Sequence, residues 1–485
     1  MKLKVVLHYL SLIVIGVGVA MLIPLLYSLI TGSGGAVAFI SSAVFCLMIG
    51  GLTRFLTASE KKQKLSIREA ILLVAGGWII ASAVGSLPYY LSGAVPSYVD
   101  AYFEAMSGFT TTGATIFTSI ETQYQGILLW RSITQWLGDM GIIMLFVALF
   151  PVLGLGSAHL IEAEMPGSQH GERLTARIRD SAKVLWLIYL GMTIVQYILL
   201  RFAGLMPFDA ANITLTTMPT GGFAPTDLSI ASYNNVWVEA IVTVFMVLAG
   251  VNFGLYYFLF FKRQPKRLFK NAEFRVYIAI LFLSGTIISL NLLGQMGLSP
   301  GEAFRYGTFQ IASIMTTTGY ASTDFNLWPT FSKAILLVLM VIGGCAGSTG
   351  GALKVIRIVV LSKYIYRRLL MVFKPNTVIP IKVEENPLPD NIVSRIISLA
   401  LLYIVLIAAG FMVMSAIGLE PVTAISSVVA CIGNVGPGFG MVGAVENYAF
   451  IPFAGKAVLI LLMLAGRLEV FTILVLFMPS FWRWR

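Results

Sequence analysis

Side chains that bind metals or form disulfides are scarce in this chain. Its 485 residues include three cysteines, Cys46, Cys345 and Cys431, and three histidines, His8, His159 and His170. They are too few and too scattered for a disulfide framework or a metal cluster, so no catalytic metal or bound cofactor is expected. Charge is scarce as well. Only 11% of residues are charged and 58% are hydrophobic, which excludes an ordinary soluble globular protein. No nucleophile or acid/base pair stands at a plausible spacing, and Gly343 to Lys354 lacks the Gly-Lys-Ser/Thr of a phosphate-binding loop. The chain is therefore not read as an enzyme, and no nucleotide site is expected on it.

What remains is apolar sequence. Windows of about 20 apolar residues, enough to cross a hydrocarbon core roughly 30 Å thick, recur from end to end and leave no room for a soluble domain. Met1-Lys2-Leu3-Lys4 and the apolar run after it resemble a signal peptide, but no small-residue cleavage site precedes a hydrophilic region, so this segment is read as a retained membrane helix. The net charge of +11 sits mostly in short connections between apolar segments, where the positive-inside bias explains it without nucleic acid.

One short polar turn recurs four times. Thr316-Thr317-Thr318-Gly319-Tyr320 has looser copies at Thr110-Thr111-Thr112-Gly113-Ala114, Pro219-Thr220-Gly221-Gly222-Phe223 and Asn434-Val435-Gly436-Pro437-Gly438. Aligned on Gly113, Gly222, Gly319 and Gly436, the copies lie 109, 97 and 117 residues apart, a large internal repeat. Each copy follows a short apolar stretch and precedes a long one.

Around these turns a unit repeats: a first span, a short apolar helix ending in the turn, an outside stretch and a second span. The expected span pairs are 70–91 and 126–150, 182–205 and 235–261, 274–296 and from 331, and 392–417 and 454–478. Spans 5–31 and 36–57 lack the turn and read as an added hairpin. The expected division is 1–60 for the hairpin, then units at 61–160, 161–270, 271–375 and 376–485. The fold class expected is an all-α membrane protein with ten spans, in which four pseudo-symmetric helix–pore loop–helix repeats surround a central ion pore. Each unit crosses twice, so all four share one orientation, unlike the inverted repeats common in secondary transporters.

Charge assigns the sides. The connection 262–275, with Lys262, Arg263, Lys266, Arg267, Lys270 and Arg275, and 154–183, with Arg173, Arg177, Arg179 and Lys183, should be cytoplasmic. Both termini are expected on that side too. The stretches carrying the turns hold Asp100, Glu104, Glu121, Asp209, Asp227, Glu302, Asp324, Glu420 and Glu446 against one base, Arg305. Such an outward vestibule attracts cations if its carboxylates are not all paired. Glu104, Glu302 and Glu420 are expected to cap short helices instead.

Non-helical backbone at membrane depth is tolerated only when buried in protein or lining a water-filled cavity. Four such turns imply a shared cavity. Glycine with small hydroxyl residues before it lets successive carbonyls point inward and replace the water shell of a cation.

The chain resembles the Trk/Ktr/HKT superfamily of potassium transporters, most closely the bacterial TrkH membrane subunits. The resemblance covers essentially the whole chain. It is most specific at Gly343-Gly344-Cys345-Ala346-Gly347-Ser348-Thr349-Gly350-Gly351 with Leu353-Lys354-Val355-Ile356-Arg357, at Gly466-Arg467-Leu468-Glu469-Val470-Phe471-Thr472, and at Glu164-Met165-Pro166-Gly167. It implies potassium uptake across the bacterial inner membrane, a homodimer with a pore in each subunit, and a cytosolic nucleotide-binding regulatory partner, TrkA. Potassium is the transported ion, and the metal expected is K+ at the filter alone. The family's filter falls on Thr111, Thr112 and Gly113, on Thr220, Gly221 and Gly222, on Thr317, Thr318 and Gly319, and on Asn434, Val435 and Gly436.

The third unit's second span runs from about Phe331 to Met371, some 41 residues, or roughly 60 Å as a straight helix, about twice the hydrocarbon core. Gly343, Gly344, Gly347, Gly350 and Gly351 with Ser348 and Thr349 interrupt it. They read as a flexible gate beneath the filter that moves aside when the cytosolic partner pulls on the following helix; the alternative is close small-residue helix packing. Arg467 and Glu469 lie inside the last span, where ionisable residues mark pathways or internal pairs. The resemblance implies a positive barrier in the pore for Arg467, and the competing role is structural pairing with Glu469 or another buried acid. Two residues apart on one helix, Arg467 and Glu469 would not pair directly. Asp139 either attracts potassium to the cavity or neutralises Arg467.

The reading from a different class is a proton- or sodium-coupled symporter, with Asp139, Glu469 and Arg467 as a proton relay. The four turns also lack the full Thr-Val-Gly-Tyr-Gly pattern of tetrameric potassium channels, the fourth copy replaces both threonines, and the second loses one. The expected consequence is weaker discrimination of potassium against sodium than in those channels, to be read from reversal potentials; selectivity as high as theirs overturns it.

Overall fold

The computed structural model describes residues 2–60, 66–149, 178–375, 377, 379–384 and 386–483. The basic residues Lys61, Lys62 and Lys64, most of the connection 154–183 and the stretch Glu164-Met165-Pro166-Gly167 lie outside the described residues, as do His159 and His170.

The described chain is helical apart from one antiparallel pair of two-residue strands, Lys382–Val383 with Asn386–Pro387. Among the described residues, six helices are long and apolar enough to cross a membrane: Leu3–Thr31, Ala36–Leu56, Arg68–Leu91, Val184–Phe202, Ala272–Met296 and Asp390–Ala416. Two bent pairs add Val236–Ala249 with Phe253–Phe260 and Phe453–Arg467 with Phe471–Phe477. The helices at the positions expected for the other two second spans are Gln125–Leu149 and the interrupted Thr330–Val341 and Val355–Phe373. Large apolar side chains such as Val37, Phe202, Phe282 and Ile404 are exposed along the spans. In a bilayer those faces meet acyl chains, so the usual inside-out reading of hydrophobicity does not apply.

Four short helices stop inside the bundle. Tyr98–Phe109, Pro207–Thr217, Pro300–Met315 and Pro421–Ile432 have 12, 11, 16 and 12 residues, which at about 1.5 Å per residue is too short to span a bilayer. Their starts are written in sequence. Ser97 accepts from the Asp100 N–H, Ser299 and Glu302 form a reciprocal capping box, and proline occupies the first turn of three of the four. Two of them then pack against second spans through glycine. A Cβ at Gly138 would lie 2.0 Å from the Phe109 carbonyl oxygen, and one at Gly466 would lie 2.0 Å from that of Ile432.

The N-terminal hairpin packs beside the first unit. Cys46 is buried in it, its Cβ facing Gly18, and Cys345 and Cys431 are buried free thiols as well.

The second spans differ from expectation. The third unit was expected to be the irregular one, but the second span of the second unit bends by 97° after Ala249 and that of the fourth by 118° after Arg467. The first break has a local cause: Asn252 turns its side chain back to accept from the Gly254 N–H and starts a new helix. The second runs through Glu469 and Val470, both at φ 55°, so the apolar run 454–478 is not one helix.

Candidate functional site

The four short helices end in the same motif. Just past the C-cap of each, with Pro219 intervening in the second, Thr111, Thr220, Thr317 and Asn434 have φ of 52°, 52°, 61° and 53°. The N–H of the following residue donates to the carbonyl five positions back: Thr112 to Ser107, Gly221 to Thr216, Thr318 to Ser313 and Val435 to Ala430, at 2.8 to 2.9 Å. This is the Schellman arrangement, normally closed by glycine. Threonine in that conformation is an outlier, since a β-branched side chain crowds its own backbone there. Next-but-one come Gly113, Gly222, Gly319 and Gly436, with φ of 83°, 74°, 85° and 96°.

These glycines close a ring. A Cβ at Gly113 would lie 2.2 Å from the Gly221 carbonyl oxygen, at Gly222 1.9 Å from that of Thr318, at Gly319 2.1 Å from that of Val435, and at Gly436 2.6 Å from that of Thr112. Each turn therefore presses a bare Cα against the middle carbonyl of the next, and the fourth presses against the first. All twelve residues singled out in sequence come together in this ring.

The turns are supported unequally. In the first and third, hydroxyl pairs Thr110 with Thr112 and Thr316 with Thr318, each at 2.8 Å, brace the middle residue. In the fourth, Asn434 Nδ2 donates to Thr112 Oγ1 at 2.9 Å and to the Met463 carbonyl at 3.0 Å. The second is held by Gln135 from the first unit's second span. The Tyr320 hydroxyl donates to the Ile213 carbonyl at 3.0 Å, and the Tyr448 hydroxyl to that of Gly436 at 2.7 Å. The repeat did not reveal Gln135, Tyr320 or Tyr448 as supports; the signal available was a polar group in an otherwise apolar span or next to a turn.

Outside the ring lies a cavity of about 90 Å³ lined by Thr115, Asp227, Glu446 and the four ring glycines, among others. Several vestibule carboxylates are already partnered. Glu104 is not a helix cap; it sits wholly buried, ion-paired to Arg131 at 2.7 Å and accepting from the Ile116 N–H at 2.9 Å. Glu302 does cap its helix, whereas Glu420 occupies the N-cap position without a side-chain bond. Asp100 pairs with Lys456, and Asp227 accepts from the Ile120 N–H. Arg131 and Lys456 belong to the second spans and so fell outside the stretches counted in sequence. The vestibule is less acidic than that count implied.

On the other side of the ring, residues 342–354 form an irregular loop, pinned at its base by a bridge between Ile342 and Leu353. Gly351 N–H donates to Thr317 Oγ1 at 2.7 Å. A Cβ at Gly350 would lie 3.0 Å from the Thr316 carbonyl oxygen, and one at Gly351 2.4 Å from that of Gly433. Glycine is required here for contact with the turns rather than for helix packing. Gly343 faces Gly351 across the loop, with no room for a Cβ between them, and Gly344 abuts the Gly250 backbone. The break in the second unit holds the loop from the side: Cys345 N–H donates to the Gly250 carbonyl at 2.8 Å, Phe253 N–H to that of Gly347 at 3.0 Å, and Thr349 Oγ1 to that of Ala249 at 3.2 Å. Ser348 Oγ is buried and has no hydrogen-bond partner among the described residues. Glu273 Oε1 accepts from Ala346 and Ile356 N–H groups at 2.7 and 3.0 Å, clamping both feet of the loop.

Arg467 reaches this loop. Its Nη1 donates to the Thr349 carbonyl at 3.1 Å and its Nη2 pairs with Asp139 at 2.8 Å. Glu469 pairs instead with Arg357 at 2.7 Å. The expected lack of a bond between Arg467 and Glu469 has a different reason from the one expected: the helix ends at Arg467, so helical phase does not separate them. Of the two roles open to Asp139, the geometry matches the neutralising one.

The profile of the TrkH family, described as a cation transport protein, matches residues 35–484. The chain is 37% identical over 489 residues to the Trk system potassium uptake protein TrkH of Escherichia coli (strain K12), covering all of both chains. It is 30% identical over 482 residues to the Trk system potassium uptake protein TrkG of the same strain, covering 99% of each. Among solved structures, the crystal structure of the potassium transporter TrkH from Vibrio parahaemolyticus superposes with a TM-score of 0.90 at 35% identity, covering both chains completely.

The buried pair of Glu104 and Arg131 gives a test of the scaffold. Glu104→Gln leaves the Arg131 charge uncompensated and should cost about 3–5 kcal/mol, read as a lower thermal unfolding midpoint in detergent. An unchanged midpoint shows that the pair does not hold the first turn.

Proposed function

The chain belongs to the TrkH family of cation transport proteins, which are transporters rather than enzymes, and on that premise we propose that it takes up potassium through a pore along the axis of the four turns. The observation that carries this reading is the ring of Gly113, Gly222, Gly319 and Gly436 against the carbonyls of Gly221, Thr318, Val435 and Thr112. Backbone carbonyls converging from four sides can replace the hydration shell of a dehydrated cation. Thr111, Thr112 and Gly113, Thr220, Gly221 and Gly222, Thr317, Thr318 and Gly319, and Asn434, Val435 and Gly436 form the filter in this reading. Potassium is cargo there, and no further cofactor is invoked. The relatives' names, which describe potassium uptake, support the choice of ion.

Residues Gly343–Gly351 act as the gate. Their bonds to Thr317, Ala249 and Gly250 support a plug lying beneath the filter in the closed state, and the glycines let it fold away without a helical penalty. Arg467 adds a positive barrier at the same level, and Asp139 offsets part of its charge. Val355–Phe373 continues from the loop and is the element through which a TrkA-like cytosolic regulatory subunit would act. On the family resemblance, the protein works as a homodimer in the bacterial inner membrane with both termini cytoplasmic. The coupled-transport reading relied on a relay through Asp139, Arg467 and Glu469, but Arg467 and Glu469 sit in separate ion pairs with Asp139 and Arg357.

In liposomes containing the purified protein, potassium should move down its own gradient faster than sodium, with no proton gradient present. Flux that requires a proton or sodium gradient moves the protein to the coupled class.

For the gate, deletion of Gly347–Gly350 and Arg467→Ala should each raise basal potassium flux about tenfold or more, the effect of removing roughly 1.4 kcal/mol or more of barrier. Asp139→Asn should lower it, and the Asp139→Asn/Arg467→Ala double variant should behave like Arg467→Ala. Unchanged flux in the loop deletion counts against a gate.

A further inference from the structure

Gln135 is wholly buried in the first unit's second span. Its Nε2 donates to the Gly221 carbonyl at 2.7 Å and its Oε1 accepts from the Phe223 N–H at 3.2 Å. One carboxamide therefore grips the second turn on both sides of Gly222. It also occupies the space of the side chain that this turn lacks. A Cβ at Gly221 would lie 2.4, 2.5 and 2.7 Å from Cδ, Oε1 and Nε2 of Gln135, which are the three nearest atoms.

The corresponding positions in the other turns carry Thr112, Thr318 and Val435. Gly221 does not need glycine for its backbone, because its φ is not in the left-handed region. It needs glycine because Gln135 is there. Where the first and third turns brace their middle residue with a hydroxyl pair, the second has Pro219 and Gly221 and cannot.

We propose that Gln135 is a selectivity-determining positioning residue, whose carboxamide stands in for the missing side chain of the second turn and fixes the direction of the Gly221 carbonyl. This rests on reading the four turns as the filter. A carbonyl oxygen has two lone pairs. The Gln135 bond takes one and leaves the other for the side facing Gly113. Without the amide, the peptide after Gly221 is the least restrained in the ring, since glycine has the widest conformational range. A carbonyl free to turn fits a smaller or larger ion equally well, and discrimination between potassium and sodium falls.

The test measures potassium and sodium flux into liposomes, each ion driven by its own gradient, for the full-length protein and four variants of verified assembly. Gln135→Leu should lower the potassium-to-sodium ratio several-fold, up to about tenfold, the range set by one lost hydrogen bond. Gly221→Ala should lose most transport, and Gln135→Ala/Gly221→Ala should recover it, because the first change removes the atoms that the second strikes. Should Gln135→Leu fail to assemble, Gln135→Met, which keeps the length and deletes the donor without adding charge, reads the same ratio.

A wild-type ratio in the Gln135 variant, or a double variant no better than Gly221→Ala, overturns the inference. Gly436→Ala separates the two failures. If it shifts the ratio while Gln135→Leu does not, only the role of Gln135 falls; if neither shifts it, the filter reading falls as well.

Discussion

Four missing Cβ atoms hold the rest of this structure to its shape. At Gly113, Gly222, Gly319 and Gly436 the space a side chain would fill is taken by the carbonyl of the next turn, at 1.9 to 2.6 Å. The obstructing atoms are backbone, so no rotamer change relieves the contact. The preceding Thr111, Thr220, Thr317 and Asn434 must then take the left-handed conformation at φ of 52° to 61°, a cost of about 1–3 kcal/mol for each threonine. That conformation persists because the short helices are wedged. Gly138 and Gly466 bring second spans onto the ends of two of them with no intervening atoms, and the Schellman bonds close every turn in the same way.

Beneath the ring the problem is electrostatic. Asp139, Glu273, Lys354, Arg357, Arg467 and Glu469 all approach one irregular loop at a depth where unpaired charge is costly. They resolve it locally: Arg467 with Asp139, Arg357 with Glu469, Glu273 with two N–H groups, and Lys354 with the Gly350 carbonyl. The pairs bridge different units, so the loop is surrounded by bonds that join the first, third and fourth repeats. This is why breaks in the second spans are needed. A continuous helix would keep the Ala249 and Gly250 carbonyls within its own ladder, whereas the bend after Ala249 frees them to accept from the loop.

The architecture was legible because its signals are local and repeated. Span length, the Thr/Gly turn, the cap at Glu302 and the five glycines of the loop each follow from residue chemistry over a few positions. The supports were not legible. Gln135 acts on Gly221 from 86 residues away in sequence, and no periodicity encodes such a pair; the contact of Asp139 with Arg467, 328 residues away, was one of two roles the sequence left open. The breaks after Ala249 and Arg467 were missed for another reason. Hydropathy continues through them, since a bend buried in protein needs only hydrogen-bond partners and not polar residues. Glu104 misled by position: near the start of a short helix it resembles a cap, but its partner Arg131 comes from the next span.

Four unequal copies around one axis also divide the labour between ring and loop. Among the described residues, the loop meets the ring through Thr317 on one side and Gly433 with Asn434 on the other. The first turn is braced by its own hydroxyl pair, and the second by Gln135. Displacing the loop therefore removes a hydrogen bond from Thr317, one of the four left-handed residues, while leaving the braces of the first two turns intact. Ring and loop are thus one mechanical unit on the side of the third and fourth repeats and separate on the other. A strictly fourfold ring could not be arranged in this way, because identical turns would require identical supports. The departures from the repeat at Gly221, Asn434 and Val435 are what permit it.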